Sequence, residues 1–177
     1  MTQPEYPFPQ ARQAAAEGGD LAAMVALGDE LGESGDMRTD SEAVGWYRQA
    51  AAGGSADGMA RLAHVLKLGR GVKQDEAAAL ALFAEAATLG QADAMLELGH
   101  MHRLGIATPA DPVLALRLYG RAAAAGSVWA MTMLGMMRER GEGGPVDREA
   151  ALAWYRSAAA LGEAFAATAL ARLAGIP

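Results

Sequence analysis

The sequence has no cysteine and only ten Trp, Tyr and Phe side chains in 177 residues. Without thiols there is neither disulfide nor thiolate chemistry, and so few aromatics argue against a deep aromatic-lined ligand cavity. Long hydrophobic runs are missing too. No stretch reaches the roughly 18 apolar residues that read as a membrane span, and the first twenty residues, which carry three prolines, contain no secretory signal. A soluble, cytoplasmic protein without a membrane partner is expected. Basic runs are also lacking: 15 Lys and Arg stand against 21 Asp and Glu, for a net charge of −6 and a pI near 5.0. Nucleic acid, bound largely through clustered cations on phosphates, is therefore not expected as a partner.

Small residues are what the chain has in excess. With 43 Ala and 22 Gly, most of its 52% hydrophobic content is methyl groups, so its core must form by close approach of backbones. The small residues recur in register. Ala-Ala pairs followed three residues later by Gly occur at Ala15-Ala16 to Gly19, Ala50-Ala51 to Gly54, Ala86-Ala87 to Gly90, Ala122-Ala123 to Gly126 and Ala158-Ala159 to Gly162, with glycine spacings of 35, 36, 36 and 36. In phase with them run Leu27-Gly28, Leu62-Ala63, Leu98-Gly99, Leu134-Gly135 and Leu170-Ala171, then Trp46-Tyr47, Leu82-Phe83, Leu118-Tyr119 and Trp154-Tyr155. Several columns in one register identify an internal repeat. The first unit is one residue short, and the spacing places the deletion in a loop at Gly32 to Gly35.

Each unit reads as two helices. The first runs from just after the repeat glycine to Gly69, Gly105 or Gly141, with residues such as Met95, Leu98 and His102 spaced by three and four. The second opens at Asp75, Asp111 and Asp147, where a carboxylate can accept from free first-turn amides; Pro112, directly after Asp111, fits the first helical position. In the first repeat Thr39 and Glu42 form a capping-box pattern. The chain starts inside a unit, with a lone second helix over Pro9 to Glu17, and ends with a lone first helix over Ala164 to Ala174, so ten helices and no strand are expected. Such units stack to bury their faces. The expected fold is an all-α, right-handed solenoid superhelix: an extended segment over 1–9, then one repeat domain over 10–174. Its repeats cover about 20–54, 55–90, 91–126 and 127–162, with half-repeat caps at 10–19 and 163–174.

The columns resemble Sel1-like repeats, relatives of the tetratricopeptide repeat. The resemblance rests on GRGVKQD at Gly69 to Asp75, AVGWYRQAAAGG at Ala43 to Gly54 and ALAWYRSAAALG at Ala151 to Gly162. Two columns depart from it. The family's usual Tyr, three residues after the Leu-Gly glycine, is replaced by Leu31, Leu66, His102 and Arg138, and GIATPAD in the third repeat lacks the second Gly and the Val. His102 and Arg138 are expected at an inter-helix seam with their polar tips towards the loop. The resemblance implies a non-catalytic adaptor or scaffold that binds other proteins, often in bacterial signalling, envelope or secretion processes. No cofactor is implied.

In a stacked helical array a partner sits on the concave face, lined by the first helices. With Leu134 core-facing and about 100° per residue, Trp129, Met133 and Met136 share the opposite face. The matching columns hold Ala22, Ala26 and Asp29; Asp57, Arg61 and His64; Asp93, Glu97 and His100; and Phe165, Ala169 and Arg172. Charged residues in the middle units mark this face as exposed, so Trp129, Met133, Met136 and Phe165 stand out as an apolar contact patch. The alternative is that Trp129 packs under the C-terminal helix, with Phe165 as a core residue of the cap. The concave face as a whole is expected to bind through Asp57, Arg61, His64, Asp93, Glu97, His100, Trp129, Met133, Met136 and Phe165. A competing reading makes the His64, Glu97 and His100 column, with Asp93, a metal or hydrolytic site. It is weakly founded, because a single Glu-x-x-His is not a paired ligand set and no nucleophile elbow, phosphate loop or His-Glu-x-x-His is present. Within the binding class, an immunity or chaperone-like protein for one dedicated effector is a further alternative. The sequence leaves the oligomeric state open.

Overall fold

The computed structural model describes residues 10–33 and 36–175. The extended segment expected over 1–9 lies outside them, as does part of the loop expected at Gly32 to Gly35. The helix before that loop runs on to Glu33, so Gly32 is helical. Among the described residues there are ten helices and no strand: α1 Gln10–Glu17, α2 Leu21–Glu33, α3 Met37–Ala52, α4 Ala56–Leu68, α5 Glu76–Thr88, α6 Ala92–Leu104, α7 Pro112–Ala124, α8 Val128–Arg140, α9 Arg148–Ala160 and α10 Ala164–Ala174. This is the expected all-α succession of helix pairs.

Helix ends follow the repeat columns. Asp75, Asp111 and Asp147 accept from the amides of Ala78, Leu114 and Ala150 at 2.8–2.9 Å, and Pro112 is the first residue of α7. Gly69, Gly105 and Gly141 close α4, α6 and α8 in the left-handed conformation, with φ of 70–72°, which alanine would adopt only under strain. The capping box expected at Thr39 is not formed. Asp36, three residues earlier, accepts from the amide of Arg38 at 2.9 Å, and the Thr39 hydroxyl instead donates to the Asp36 carbonyl. The earlier acceptor starts α3 at Met37 and makes Thr39 a first-turn residue. First helices carry caps of their own that the columns did not suggest: Ser55, Gln91, Ser127 and Glu163 each accept from an amide three residues on.

The chain divides into two compact units, Met1–Ala86 and Ala87–Pro177. In the first, α2 packs on α1 and α3, and α4 on both α2 and α3. Its core gathers Ala16, Met24, Leu27, Leu31, Val44, Tyr47 and Ala50, with Leu21, Trp46 and Leu82 against it. In the second, α6 to α10 pack each on the next, and α10 also meets α8. There Ala151, Tyr155, Ala158, Ala166 and Ala169 form a core cluster flanked by Met131, Met136 and Leu170. Fully buried alanines of the repeat columns, Ala16, Ala50, Ala86, Ala122 and Ala158, let neighbouring helices approach closely.

The loop between the helices of a repeat docks on the start of an earlier second helix. At Gly71, φ 67°, an added Cβ would lie 2.4 Å from the Asp40 carbonyl carbon, and at Gly143, φ 76°, 2.5 Å from the Pro112 oxygen. Around the first contact, Ser41 donates to the Gly71 carbonyl at 2.8 Å and Arg70 pairs with the buried Asp40 at 2.9 Å. The third repeat, which departs from the pattern here, puts Ala107 in the corresponding place and still adopts positive φ, 56°. A left-handed alanine costs roughly 1–2 kcal/mol. Ala107→Gly is therefore expected to stabilise the protein by about 1 kcal/mol in denaturant unfolding; a loss of stability would show that the alanine methyl contributes packing that outweighs the strain.

Candidate functional site

In three of the repeats an aromatic ring lies on a helix backbone. A Cβ added to Gly28 would come within 2.5 Å of the Tyr47 ring, one at Gly99 within 2.6 Å of Tyr119, and one at Gly135 within 2.7 Å of Tyr155. Glycine in the Leu-Gly column thus makes room for the tyrosine of the following second helix. Two of these tyrosines go on to order charge. Tyr47 donates to Asp29 at 2.8 Å, and Asp29 pairs with Arg61 of the next first helix at 3.1 Å. Tyr155 donates to Glu139 at 3.0 Å, and Glu139 pairs with Arg172 at 2.6 Å. Burial, and next the carboxylate each hydroxyl faces, push both phenols above their ordinary value. Burial opposes ionisation of Glu139, but the bonds from Arg172 and Tyr155 prevail and hold it below the ordinary carboxylate value. These bridges were not foreseen; Asp29 and Glu139, 18 and 16 residues before their tyrosines, were the available signal.

Tyr119 is built differently. Burial pushes it up to about 12, the nearby Arg103 opposing, and its hydroxyl is buried without a hydrogen bond. Arg103 itself pairs with Glu142 at 3.3 Å. The His100 ring meets Tyr119 edge-on at 5.4 Å. At the expected seam, His102 and Arg138 are both half-buried, and the Arg138 guanidinium lies beside the loop at Gly144.

The outward columns are partly as expected. In the first unit Asp57, Arg61 and His64 are all exposed. In the second, Asp93 is exposed while Glu97 and His100 are half-buried. Trp129 is 62% exposed and Phe165 50%, so neither is packed away beneath the C-terminal helix. Met133 is the correction: expected on the outward face, it is 8% exposed and belongs to the core. Met136 is half-buried and leans on the Tyr155 cluster. A single core direction at Leu134 was too narrow an account of α8, which has helices on more than one side. Ala130, Thr132, Met133, Gly135 and Met137 are all buried, leaving an open arc centred near Trp129. Among the described residues of either unit, no three His, Asp or Glu side chains converge as a metal ion would require.

The sequence pattern of the Sel1 repeat matches residues 21–55, 56–91, 92–127 and 130–163. No curated protein matches the chain. Solved structures do. A protective antigen of uropathogenic Escherichia coli displaying an SLR fold is 31% identical, with a TM-score of 0.83 over 93% of this chain and 36% of its own. A Sel1 repeat protein from Oxalobacter formigenes is 26% identical, with a TM-score of 0.80 over 94% of this chain and 64% of its own. A putative Sel1 repeat protein from Klebsiella pneumoniae, 23% identical with a TM-score of 0.51, shares the fold. The chain thus spans about a third and two thirds of the length of the first two. Sel1-repeat proteins generally mediate protein–protein interaction. Among the described residues, no helix is long and apolar enough to cross a membrane.

The Tyr155–Glu139–Arg172 bridge carries a pH signature. A carboxylate held below its ordinary value of 4.5 contributes stability that is complete above that value and is lost as pH falls through the lower folded-state value. The stability difference between the wild type and Glu139→Gln is expected to be constant from neutral pH to about 5 and to shrink below about 4.5. An unchanged difference down to pH 3 would mean that Glu139 gains nothing from its partners.

Proposed function

The chain belongs to the Sel1 repeat family, and from that premise we propose that it is a non-catalytic adaptor whose first helices hold a partner protein or peptide along their outward columns. The observation that carries this reading is the exposure of Trp129 and Phe165 at successive places of one column, where other repeats carry the exposed Asp57 and Asp93. Large aromatics left largely in water at repeat positions elsewhere given to Ala22, Asp57 and Asp93 are groups of the kind that anchor interfaces. Met136 widens the apolar patch from its half-buried place. Arg61 and His64 in the first unit, and Glu97 and His100 in the second, supply the polar part of the columns.

Within the second unit the carboxylates favour a partner segment that is apolar where it meets Trp129 and Phe165 and basic where it meets Asp93 and Glu97; the first unit carries Asp57 in the same column. Charge of this kind governs association rate and register more than affinity, whereas buried aromatic anchors govern dissociation. A cysteine-free chain fits a reducing compartment, and we place the adaptor in the cytoplasm.

Replacing Trp129 and Phe165 together by Ser is expected to leave the melting temperature almost unchanged, since exposed substitutions shift stability by only about 0.5 kcal/mol, and to abolish retention of the partner. Asp93→Lys is expected mainly to slow association, with a smaller effect on dissociation, in surface-binding kinetics. If the double variant retains the same proteins with the same affinity, the outward-column reading is wrong; if it unfolds, the two aromatics are structural.

A further inference from the structure

A separate feature of the first unit lies at its N-terminal end, away from the outward columns. Helices α1 and α3 are successive second helices, and between them, over α2, is a pocket of about 250 Å³. Its floor is apolar, made by the buried Leu27 and Leu31 together with Trp46. Gly45 stands in its α3 wall, where an added Cβ would meet nothing within 4 Å. The other repeats hold Ala81, Arg117 and Ala153 in that column, so the first repeat alone leaves the wall beside Trp46 without a side chain.

The next repeat shows how such a place is filled. In the repeat register Leu27, Leu31 and Trp46 correspond to Leu62, Leu66 and Leu82. Those three share a core cluster with Val44 of α3, which is 1% exposed, and its neighbour Ala43 is 2% exposed. The early turns of a second helix therefore supply the apolar groups that complete this part of the following pair. α1 is a second helix of eight residues where α3 has sixteen. The counterparts of Ala43 and Val44 in its register are Phe8 and Pro9, which stand just before its first residue, Gln10. Pro7 and Pro9 fall at places that are mid-helix in α3, and proline there removes a hydrogen bond and clashes with the preceding turn. The missing turns thus cannot be supplied as helix. The same prolines hold the residues before them, Tyr6 and Phe8, out of the helical region, and in extended backbone residues two apart point to one side. The two aromatic rings of the segment are thereby matched to a single face.

We propose that residues 4–9 of this chain form an extended strap across the pocket, with the Phe8 ring seated on Leu31 and Trp46 and Tyr6 following on the same side towards the start of α3. The strap takes the part in the first unit that Ala43 and Val44 take in the next repeat, and it closes the pocket to the side chains of partners. Its attachment selects it over any separate chain. Phe8 is two residues from Gln10, hence within about 7 Å of the start of α1, and so short a tether gives an effective concentration of the order of millimolar. An aromatic ring buries a large apolar area on such a floor and gains further from a second ring beside it, and prolines lower the entropy that the segment loses on docking.

The test is a set of NMR contacts in the full chain. Nuclear Overhauser contacts are expected from the Phe8 ring to the Leu31 methyl groups and to the Trp46 indole. Phe8→Ser is expected to remove them and to shift the Leu31 methyl and Trp46 indole N–H signals, while the indole signals of Trp129 and Trp154 stay in place. Gly45→Leu, which puts a side chain into the pocket, is expected to displace the ring and to cause the same loss at Leu31. In a mixed sample, with Phe labelled in half of the molecules and Leu in the other half, the contact between Phe8 and Leu31 should vanish. Wild-type Phe8 without contacts to Leu31 and Trp46 would overturn the proposal, as would Leu31 and Trp46 signals indifferent to Phe8→Ser. A contact that persists between differently labelled molecules would overturn it too, because the pocket would then be filled by a second copy.

Discussion

A tyrosine ring seated on a helix glycine is the contact on which three of the repeats depend. The ring can lie against the backbone of the preceding first helix only because Gly28, Gly99 and Gly135 have no Cβ; an added one would stand 2.5–2.7 Å from Tyr47, Tyr119 and Tyr155. No aromatic ring tolerates that distance, so the position must be glycine wherever the partner is tyrosine. The second repeat departs from this: the glycine column holds Ala63 and the ring column Phe83, both buried. Close packing then has an electrostatic consequence. The Tyr47 and Tyr155 hydroxyls emerge at Asp29 and Glu139, and those carboxylates in turn hold Arg61 and Arg172 of the next first helices. One missing methyl group thus fixes the pairing within a repeat and the spacing to the following first helix.

The first repeat of the second unit keeps the seat and changes what lies beyond it. Arg103 stands near Tyr119 where Glu139 stands near Tyr155, one repeat on in the register, and pairs instead with Glu142 of the following loop. The Tyr119 hydroxyl is left buried without a hydrogen bond, a cost the other two avoid. The loops show the same tolerance. Gly71 and Gly143 dock against the starts of α3 and α7, and Ala107 holds the left-handed conformation without being glycine. The repeats therefore share a backbone solution more strictly than a side-chain one, which frees the outward columns to differ from repeat to repeat.

Most of the fold was legible because repetition multiplies weak signals. A single glycine says little, but Gly19, Gly54, Gly90, Gly126 and Gly162 in register announce helix ends, and all five adopt positive φ. Pro112 and Asp111 likewise placed the start of α7. What misled was treating one position as though it had no neighbours upstream: Thr39 and Glu42 had the right spacing for a cap, but Asp36 offered an acceptor a turn earlier. The candidate site was read less well for a related reason. A helical wheel assigns one inner direction, whereas α8 is enclosed over most of its circumference, so Met133 went to the core while Trp129, about 40° away on the same wheel, stayed in solvent. The Gln13, Glu42 and Trp46 pocket was invisible in the sequence because it is a shared property of three helices and of an absence at Gly45.

Helix contacts thus rest on small residues and the rings they admit, while Trp129 and Phe165 stand exposed on the first helices. This division rests on the tyrosine seats, and a double-mutant cycle between Gly135 and Tyr155 tests it most directly. Gly135→Ala is expected to destabilise the protein by about 1–3 kcal/mol with Tyr155 present. In the Tyr155→Ala background it should be neutral or stabilising, because alanine favours a helix over glycine, so the two sites should couple by more than about 1 kcal/mol. Additive effects of the two substitutions would contradict the account.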